Sequence, residues 1–262
     1  MIEIKNPRIS NAKYAVVTRA KDDYEIGKIT RAALCEYAVR CQADFLVINE
    51  EKLKLGNFFF ELLQCYELFD KYERILSVDS DIIINSDCPN IFELVPYDCI
   101  GTIYEDKYCR KNNRREFIKM AQEKFGDIGW REGYINTGFF VCSRIHKELF
   151  AYSEEGLWRT DGYDDVYLGY RIHLLKFKVF ELPYTFNHMS MFSEIGRNWL
   201  KSYVMHYAGR GFSRQPRHMQ IKNDLQIVMN TSKFMRNFYH IPTRLRLLLI
   251  GISNLFRDRF MN

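Results

Sequence analysis

The sequence predicts an α/β fold in which a mainly parallel sheet is flanked by helices. Two observations carry this expectation. Short apolar runs of strand length alternate with segments whose apolar residues recur at helical spacing, the pattern of strands joined by crossover helices. The chain of 262 residues is also 47% hydrophobic and 15% aromatic, enough to bury one large core or two small ones.

Tyr14 to Thr18 reads as a buried strand, and the polar turn Arg19-Ala20-Lys21-Asp22-Asp23 follows it. Ile26, Ile29, Ala33, Leu34 and Tyr37 then mark a helix, Phe45 to Ile48 a second strand, and Phe58, Phe59, Leu62, Leu63, Tyr66 and Phe69 a second helix. Arg74 to Ile84 is an apolar stretch interrupted by Asp79-Ser80-Asp81. If Ile75 to Val78 is a strand, its period of two sends Asp79 and Asp81 to one side at its end. Two bare carboxylates at that distance repel, and a hard divalent cation such as Mg²⁺ or Mn²⁺ would remove the repulsion. The alternative is a solvated turn, where Asp and Ser are common. In parallel sheets ligands sit beyond the carboxyl ends of the strands, so Thr18 to Tyr24 and Asp79 to Asp81 are expected in one crevice.

Asp98 to Tyr104 and Tyr134 to Cys142 read as further strands, and Gly138 marks a place where a backbone or ligand can approach closely. Between them, the charged and apolar-poor segment Glu105 to Arg131 is expected as a surface insertion or a flap over the site. A helix through Ile145, Leu149 and Tyr152 comes next, and another opens at Asp164-Asp165, where helix capping is the alternative to a catalytic role. Lys178 to Leu182 and Tyr203 to Tyr207 are short strands, the latter carrying His206.

Seven scattered cysteines without a C-x-x-C pair indicate neither a disulfide framework nor a zinc site. Met1 to Lys5 lacks a signal-peptide pattern and Leu247 to Ile252 is too short to span a bilayer, so a cytoplasmic placement is expected. The net charge of +5 is uneven. From Lys201 onward, 11 Lys and Arg stand against Asp224 and Asp258, a balance of +9 that leaves −4 for the first 200 residues.

The motifs, in their order, resemble the metal-dependent GT-A glycosyltransferases, which move a sugar from a nucleotide diphosphate to an acceptor hydroxyl. Val17 to Tyr24 is similar to the nucleotide-recognising start of the glycogenin and lipooligosaccharide galactosyltransferase group, and Tyr72 to Asp81 to its strand and Asp-x-Asp motif. Ile135 to Val141 resembles the glycine-containing segment beside the donor sugar, and Asp164 to Gly169 the acidic Asp-Val motif of Fringe-like inverting enzymes. His206 to Gly209 resembles the C-terminal histidine motif.

The resemblance implies a Rossmann-like, mixed but mainly parallel GT-A sheet over residues 1–212, followed by a basic, aromatic helical extension over 213–262. It implies Asp79, Asp81 and His206 as ligands of Mn²⁺ or Mg²⁺. Thr18, Arg19, Tyr24, Asp79, Ser80, Asn136, Gly138, Gly209 and Arg210 are then expected to hold a nucleotide sugar, with UDP the expected nucleotide. Asp165, with Asp164 as the near alternative, is the candidate general base. A base there implies inversion, whereas a donor-orienting role leaves retention open. The family's diphosphate-neutralising lysine is replaced by Phe212, with Arg210 and Arg214 as possible substitutes.

In the extension, Ile241, Leu245, Leu248, Leu249, Ile252, Leu255 and Phe256 follow one helical face, with Arg244, Arg246, Arg257 and Arg259 nearby. Such a helix can lie on an anionic membrane, as expected of an enzyme acting on a glycolipid, or pack on the enzyme or another subunit. Two rival functions are weaker. A nucleotidyltransferase making nucleotide sugars ordinarily has a glycine-rich phosphate loop, and Thr18 to Tyr24 has no glycine. A nucleic-acid-binding protein would have no need of the Asp79/Asp81 pair, and no nucleic acid partner is expected.

Overall fold

The structure is a computed structural model that describes residues 2–4, 12–22, 24–153, 156–193, 198–232 and Arg236. Its strands are β1 (Ile2–Ile4), β2 (Tyr14–Arg19), β3 (Ala43–Ile48), β4 (Arg74–Asp79), β5 (Ile82–Ile84), β6 (Cys99–Thr102), β7 (Phe139–Ser143), β8 (Lys178–Glu181) and β9 (Val204–His206). The helices are α1 (Glu25–Arg40), α2 (Cys65–Leu68), α3 (Ile91–Leu94), α4 (Lys111–Phe125), α5 (Tyr163–Leu174), α6 (Ser190–Ser193) and α7 (Arg217–Asn230).

The main sheet has seven strands in the order β1-β3-β2-β4-β7-β6-β8, and β5 pairs with β9 in a separate two-stranded sheet. β2, β3, β4, β6 and β8 run in one direction, while β1 and β7 oppose them. The sheet is thus mixed and mostly parallel, as the sequence predicts. From β2 the chain crosses outward to β3 and then returns past β2 to β4, so the connections diverge at the carboxyl ends of β2 and β4. That divergence opens the crevice in which α/β proteins bind ligands. The register sets Arg19 directly beside Asp79 there.

Alternation along the strands splits the core between the two faces of the sheet. Ala15, Val17, Ile75, Phe140 and Cys142 pack with Phe60, Leu63, Phe150 and the inner face of α5. Val16, Leu76, Val78, Phe139 and Val141 pack on the other side with Leu34, Tyr37, Ile91 and Phe92.

Several expected elements differ in form. Phe58–Gln64 is a 3₁₀ stretch that leads into the single turn of α2. Phe60 to Gln64 are all buried, which the one apolar face of an amphipathic α-helix does not allow. The segment after β7 is likewise 3₁₀, over Arg144–Phe150. The expected strand from Tyr134 begins only at Phe139, because Asn136 and Thr137 turn to the crevice.

The charged segment from Glu105 to Arg131 is anchored at both ends and is no loose insertion. Buried Asp106 accepts hydrogen bonds from the backbone N–H groups of Gly133 and Tyr134, and Trp130 is fully buried. Between them α4 seats Ile118 and Ala121 in the core against α5.

Residues on both sides of position 212 share a third apolar cluster. Ile221 and Val228 of α7 pack with Ile26, Ile83, Leu200, Met205 and Tyr207. Arg236 is also buried and reaches Asp87, at 3.5 Å. The rest of the expected membrane-facing segment 233–262 lies outside the described residues. Among the described residues, all seven cysteines are free, and no helix is long and apolar enough to cross a membrane.

Ending the chain at residue 212 removes Ile221 and Val228 from this cluster, and burying two such side chains is worth roughly 3–6 kcal/mol. Urea denaturation is expected to show the shortened chain destabilised by at least that amount. An unchanged midpoint would refute the integration of α7 with the body.

Candidate active site

A cavity of about 780 Å³ opens at the carboxyl edge of the sheet. Arg19, Tyr24, Asp79, Ser80, Asp81, Asn136, Asp164, Asp165, His206 and Gly209 all line it. The sequence separates them widely, and four features of the topology bring them together. β2 and β4 end side by side, carrying Arg19 and Asp79. Antiparallel β7 begins where β4 ends, so the preceding loop delivers Asn136 and Thr137, and Asp79 N–H bonds Gly138 O at 2.9 Å. The β5–β9 ladder sets Ile82 opposite His206, which places the imidazole against Asp81. Gly162, at φ +87, starts α5 in the left-handed region that favours glycine and presents Asp164 and Asp165 in the first turn.

Asp79, Asp81 and His206 have ligand atoms within 4.8 Å of one another. His206 Nε2 lies 3.3 Å from Asp81 Oδ1 and 3.6 Å from Asp79 Oδ2. Two carboxylate oxygens and one imidazole nitrogen suit Mn²⁺ or Mg²⁺, and the convergence of buried Asp81 and His206 with half-buried Asp79 fits such an ion. Burial alone would lower the His206 pKa. The carboxylates, Asp81 foremost and then Asp79 and Glu105, outweigh it and push it up to about 9. Burial opposes ionisation of Asp81 too, but His206 and Arg217 hold its pKa below the usual value.

Gly138 makes room for the histidine. A Cβ at that position would stand 2.5 Å from His206 Cε1 and 2.9 Å from Nδ1, so the close approach expected of this glycine is made by the imidazole.

Arg19 is buried and committed. Its guanidinium bridges Asp79 Oδ1 and Asp164 Oδ2, each at 2.7 Å, and also bonds Phe59 O. Thr137 Oγ1 donates to Asp164 Oδ2 at 3.0 Å. Asp165 Oδ1 accepts from Thr137 N–H at 2.7 Å and lies 2.8 Å from Thr137 Oγ1. The cap position of α5 is Gly162, and both aspartates lie in the first turn, where the helix dipole favours negative charge. Asp165 keeps part of its surface open to the cavity. Burial of the remainder, with the charges of Asp164 and Glu105, raises its pKa well above the ordinary carboxylate value.

Three expected residues do not line the cavity. Thr18 is buried within β2, Gly138 lies beneath His206, and Arg210 is exposed, with its carbonyl accepting from Gln220 Nε2. Phe212, at the family's lysine position, stacks on Trp199 at 4.8 Å. The cation that enters the cavity from this part of the chain is Arg217, at the start of α7. It bonds Asp81 Oδ2 at 3.2 Å and Tyr24 Oη at 2.7 Å. Arg110, Arg114, Tyr163 and Met191 line the cavity as well. Sequence reasoning missed all five, and only the Arg at the start of a helix after Pro216 left a local trace of Arg217.

A proton held by His206 must leave when a cation binds Nε2. Between pH 7 and about 8.5, Mn²⁺ affinity is therefore expected to rise roughly tenfold per pH unit and to level off near the His206 pKa of about 9. In the metal-free protein the sign is opposite. The stabilisation from protonated His206 is complete below about 6.5, the ordinary imidazole value, and fades as pH rises through about 9. Mn²⁺ titration followed by paramagnetic resonance at several pH values reads the slope, and a flat profile would contradict this assignment.

No protein-family model matches the chain, and no curated protein matches its sequence. Solved structures do match. A glycosyltransferase involved in glycosylation of the major capsid of PBCV-1 aligns over 80% of this chain and 98% of its own, with a TM-score of 0.56 at 16% identity. The galactosyltransferase LgtC, solved with donor and acceptor sugar analogues, aligns over 83% of this chain and 97% of its own, with a TM-score of 0.51 at 14% identity. The chain has the fold of the GT-A glycosyltransferases.

Proposed function

We propose that the protein is a metal-dependent glycosyltransferase that moves a sugar from a nucleoside-diphosphate sugar to a hydroxyl of a glycan or glycolipid. UDP is the expected nucleotide and Mn²⁺ or Mg²⁺ the expected ion. The observation that carries this reading is the convergence of Asp79, Asp81 and His206 in the same cavity as Asp165, on a fold shared with glycosyltransferases.

A bound divalent cation supplies Lewis-acid stabilisation of the charge that develops on the departing diphosphate. The chain's own groups do the rest. Arg217, beside Asp81, adds a positive charge where diphosphate oxygens are expected, the task given in the family to a lysine. Tyr24 and Lys21 line the nucleotide side of the cavity. Asn136, Thr137 and Asp164 border the place of the donor sugar.

Asp165 is suited to accept the proton of the attacking hydroxyl. Thr137 holds its Oδ1, and among the described residues Oδ2 has no hydrogen-bond donor. Its raised pKa strengthens it as a base. A base in this position favours direct displacement with inversion, and product anomer determination by NMR distinguishes that from retention. The nucleotidyltransferase and nucleic-acid readings gain nothing from this arrangement.

A screen of nucleotide sugars with Mn²⁺ tests the proposal. One donor, expected to be a UDP-sugar, should raise the melting temperature of the wild-type chain and be slowly hydrolysed, with neither effect in Asp81→Ala. Asp165→Asn should still bind the donor but transfer sugar about 10²–10⁴-fold more slowly. Failure of every nucleoside-diphosphate sugar to bind would sink the reading.

The basic and aromatic segment 233–262 supports a peripheral contact with an anionic membrane, a reading that rests on its sequence pattern. In co-sedimentation with anionic liposomes, the full chain should pellet and a chain ending at residue 232 should stay in solution. Equal binding by the two would refute the contact.

A further inference from the structure

A chain of side chains runs from the back of His206 to the cavity wall. His206 Nδ1 lies 2.8 Å from Asn187 Oδ1, and Asn187 Nδ2 lies 2.5 Å from Asn136 Oδ1. Asn136 Nδ2 lies 2.6 Å from Glu105 Oε1, and Arg114 Nε lies 2.5 Å from Glu105 Oε2. Asn187, Asn136 and Glu105 are all buried. At the far end Arg114 reaches the cavity.

Donor and acceptor chemistry permits one polarity along this chain. A guanidinium only donates and an ionised carboxylate only accepts. Asn136 must therefore turn its NH₂ toward Glu105. Its Oδ1 then faces Asn187 and the backbone N–H of Gly138, at 2.9 Å, and that N–H independently requires an acceptor there. Asn187 must in turn donate with Nδ2, which leaves its Oδ1 for His206. An amide oxygen can only accept, so the hydrogen of His206 resides on Nδ1. When the ring is neutral, as it must be to bind a cation, its lone pair is then on Nε2, the nitrogen that faces Asp81 and Asp79.

We infer that Asn187, Asn136 and Glu105 are positioning residues that fix the tautomer of His206, so that a carboxylate touching neither the imidazole nor the cation sets the strength of a metal ligand. The inference rests on the metal-dependent reading above. Partners of this kind behind a metal-binding histidine typically change metal affinity 10–100-fold when altered. Glu105→Gln is an informative variant because a neutral amide cannot accept from Arg114 and Asn136 with both of its atoms. One N–H is left facing another donor, and the polarity of the chain is no longer imposed.

The test is Mn²⁺ affinity, read from the resonance signal of free Mn²⁺ in the full-length protein, with folding checked by circular dichroism. Glu105→Gln and Asn187→Leu should bind Mn²⁺ about 10–100-fold more weakly than wild type. Thr102→Val is the control. It removes a 2.6 Å bond to the backbone oxygen of Asn136 while leaving the side-chain relay intact, and it should stay within about twofold. Wild-type affinity in folded Glu105→Gln and Asn187→Leu would overturn the inference and leave the metal site standing. Absence of Mn²⁺ binding by the wild type would overturn the metal reading and this inference with it. A second measurement needs no core variant: ¹⁵N NMR of the Mg²⁺-loaded protein, with the signal assigned through His206→Gln. Hydrogen on Nδ1 is expected, and hydrogen on Nε2 would overturn the assignment.

Discussion

Mutual repulsion among carboxylates is the constraint on which this site depends. Asp79, Asp81, Glu105, Asp164 and Asp165 all line one cavity, and at close range in a medium less polar than water such charges cannot coexist uncompensated. The protein answers with cations placed among them. Arg19 bridges Asp79 and Asp164, Arg217 and His206 serve Asp81, and Arg114 serves Glu105. Among the described residues no cation forms an ion pair with Asp165, and burial, with the charges of Asp164 and Glu105, raises its pKa. Removing one member of a buried ion pair generally costs about 3–5 kcal/mol, because the remaining charge is stranded. Arg19 is the member with most at stake, since two carboxylates from different elements depend on it.

The mixed topology is what makes this placement possible. In a wholly parallel sheet, the strand beside β4 would bring its carboxyl end to the site. Here β7 is reversed, and the residues preceding it, Asn136 to Gly138, arrive instead. The reversal brings Asn136 and Thr137 into the cavity wall. Parallel β6, next in the sheet, sends its carboxyl end to the same edge, which is how Glu105 comes within reach of Asn136. The core on either face of the sheet follows from ordinary strand alternation, but the chemistry follows from which strand ends meet.

Much of this arrangement was legible in the sequence, because some residues announce themselves locally. Asp79 and Asp81 break an apolar run, and Gly138 sits within a strand-like segment. His206 and the Asp164-Asp165 pair were identifiable from the order of motifs. What stayed hidden was relational. Arg217 matters only because α7 docks on α1, and its apolar contacts are too widely spaced to mark the helix strongly. Glu105 and Asn187 look like ordinary polar loop residues until the fold buries both against Asn136. Arg19, in a polar turn, is expected to hold the nucleotide sugar, yet the register of β2 with β4 turns it inward to two carboxylates. A linear pattern records periodicity well, but it does not record which buried polar atom will meet which.

The small β5–β9 ladder has a consequence for how the protein is made. It is three residues long on each side, and it joins segments more than a hundred positions apart. Loop closure of that length carries an entropic cost that few contacts can repay early in folding. His206 is therefore expected to reach Asp81 only after the main sheet has formed and α7 can cover the ladder. A ribosome-bound chain whose last quarter has not emerged can hold the sheet and the two aspartates but not the completed cluster. Assembly of the Asp79, Asp81 and His206 cluster is thereby tied to the emergence of the segment that carries β9 and α7.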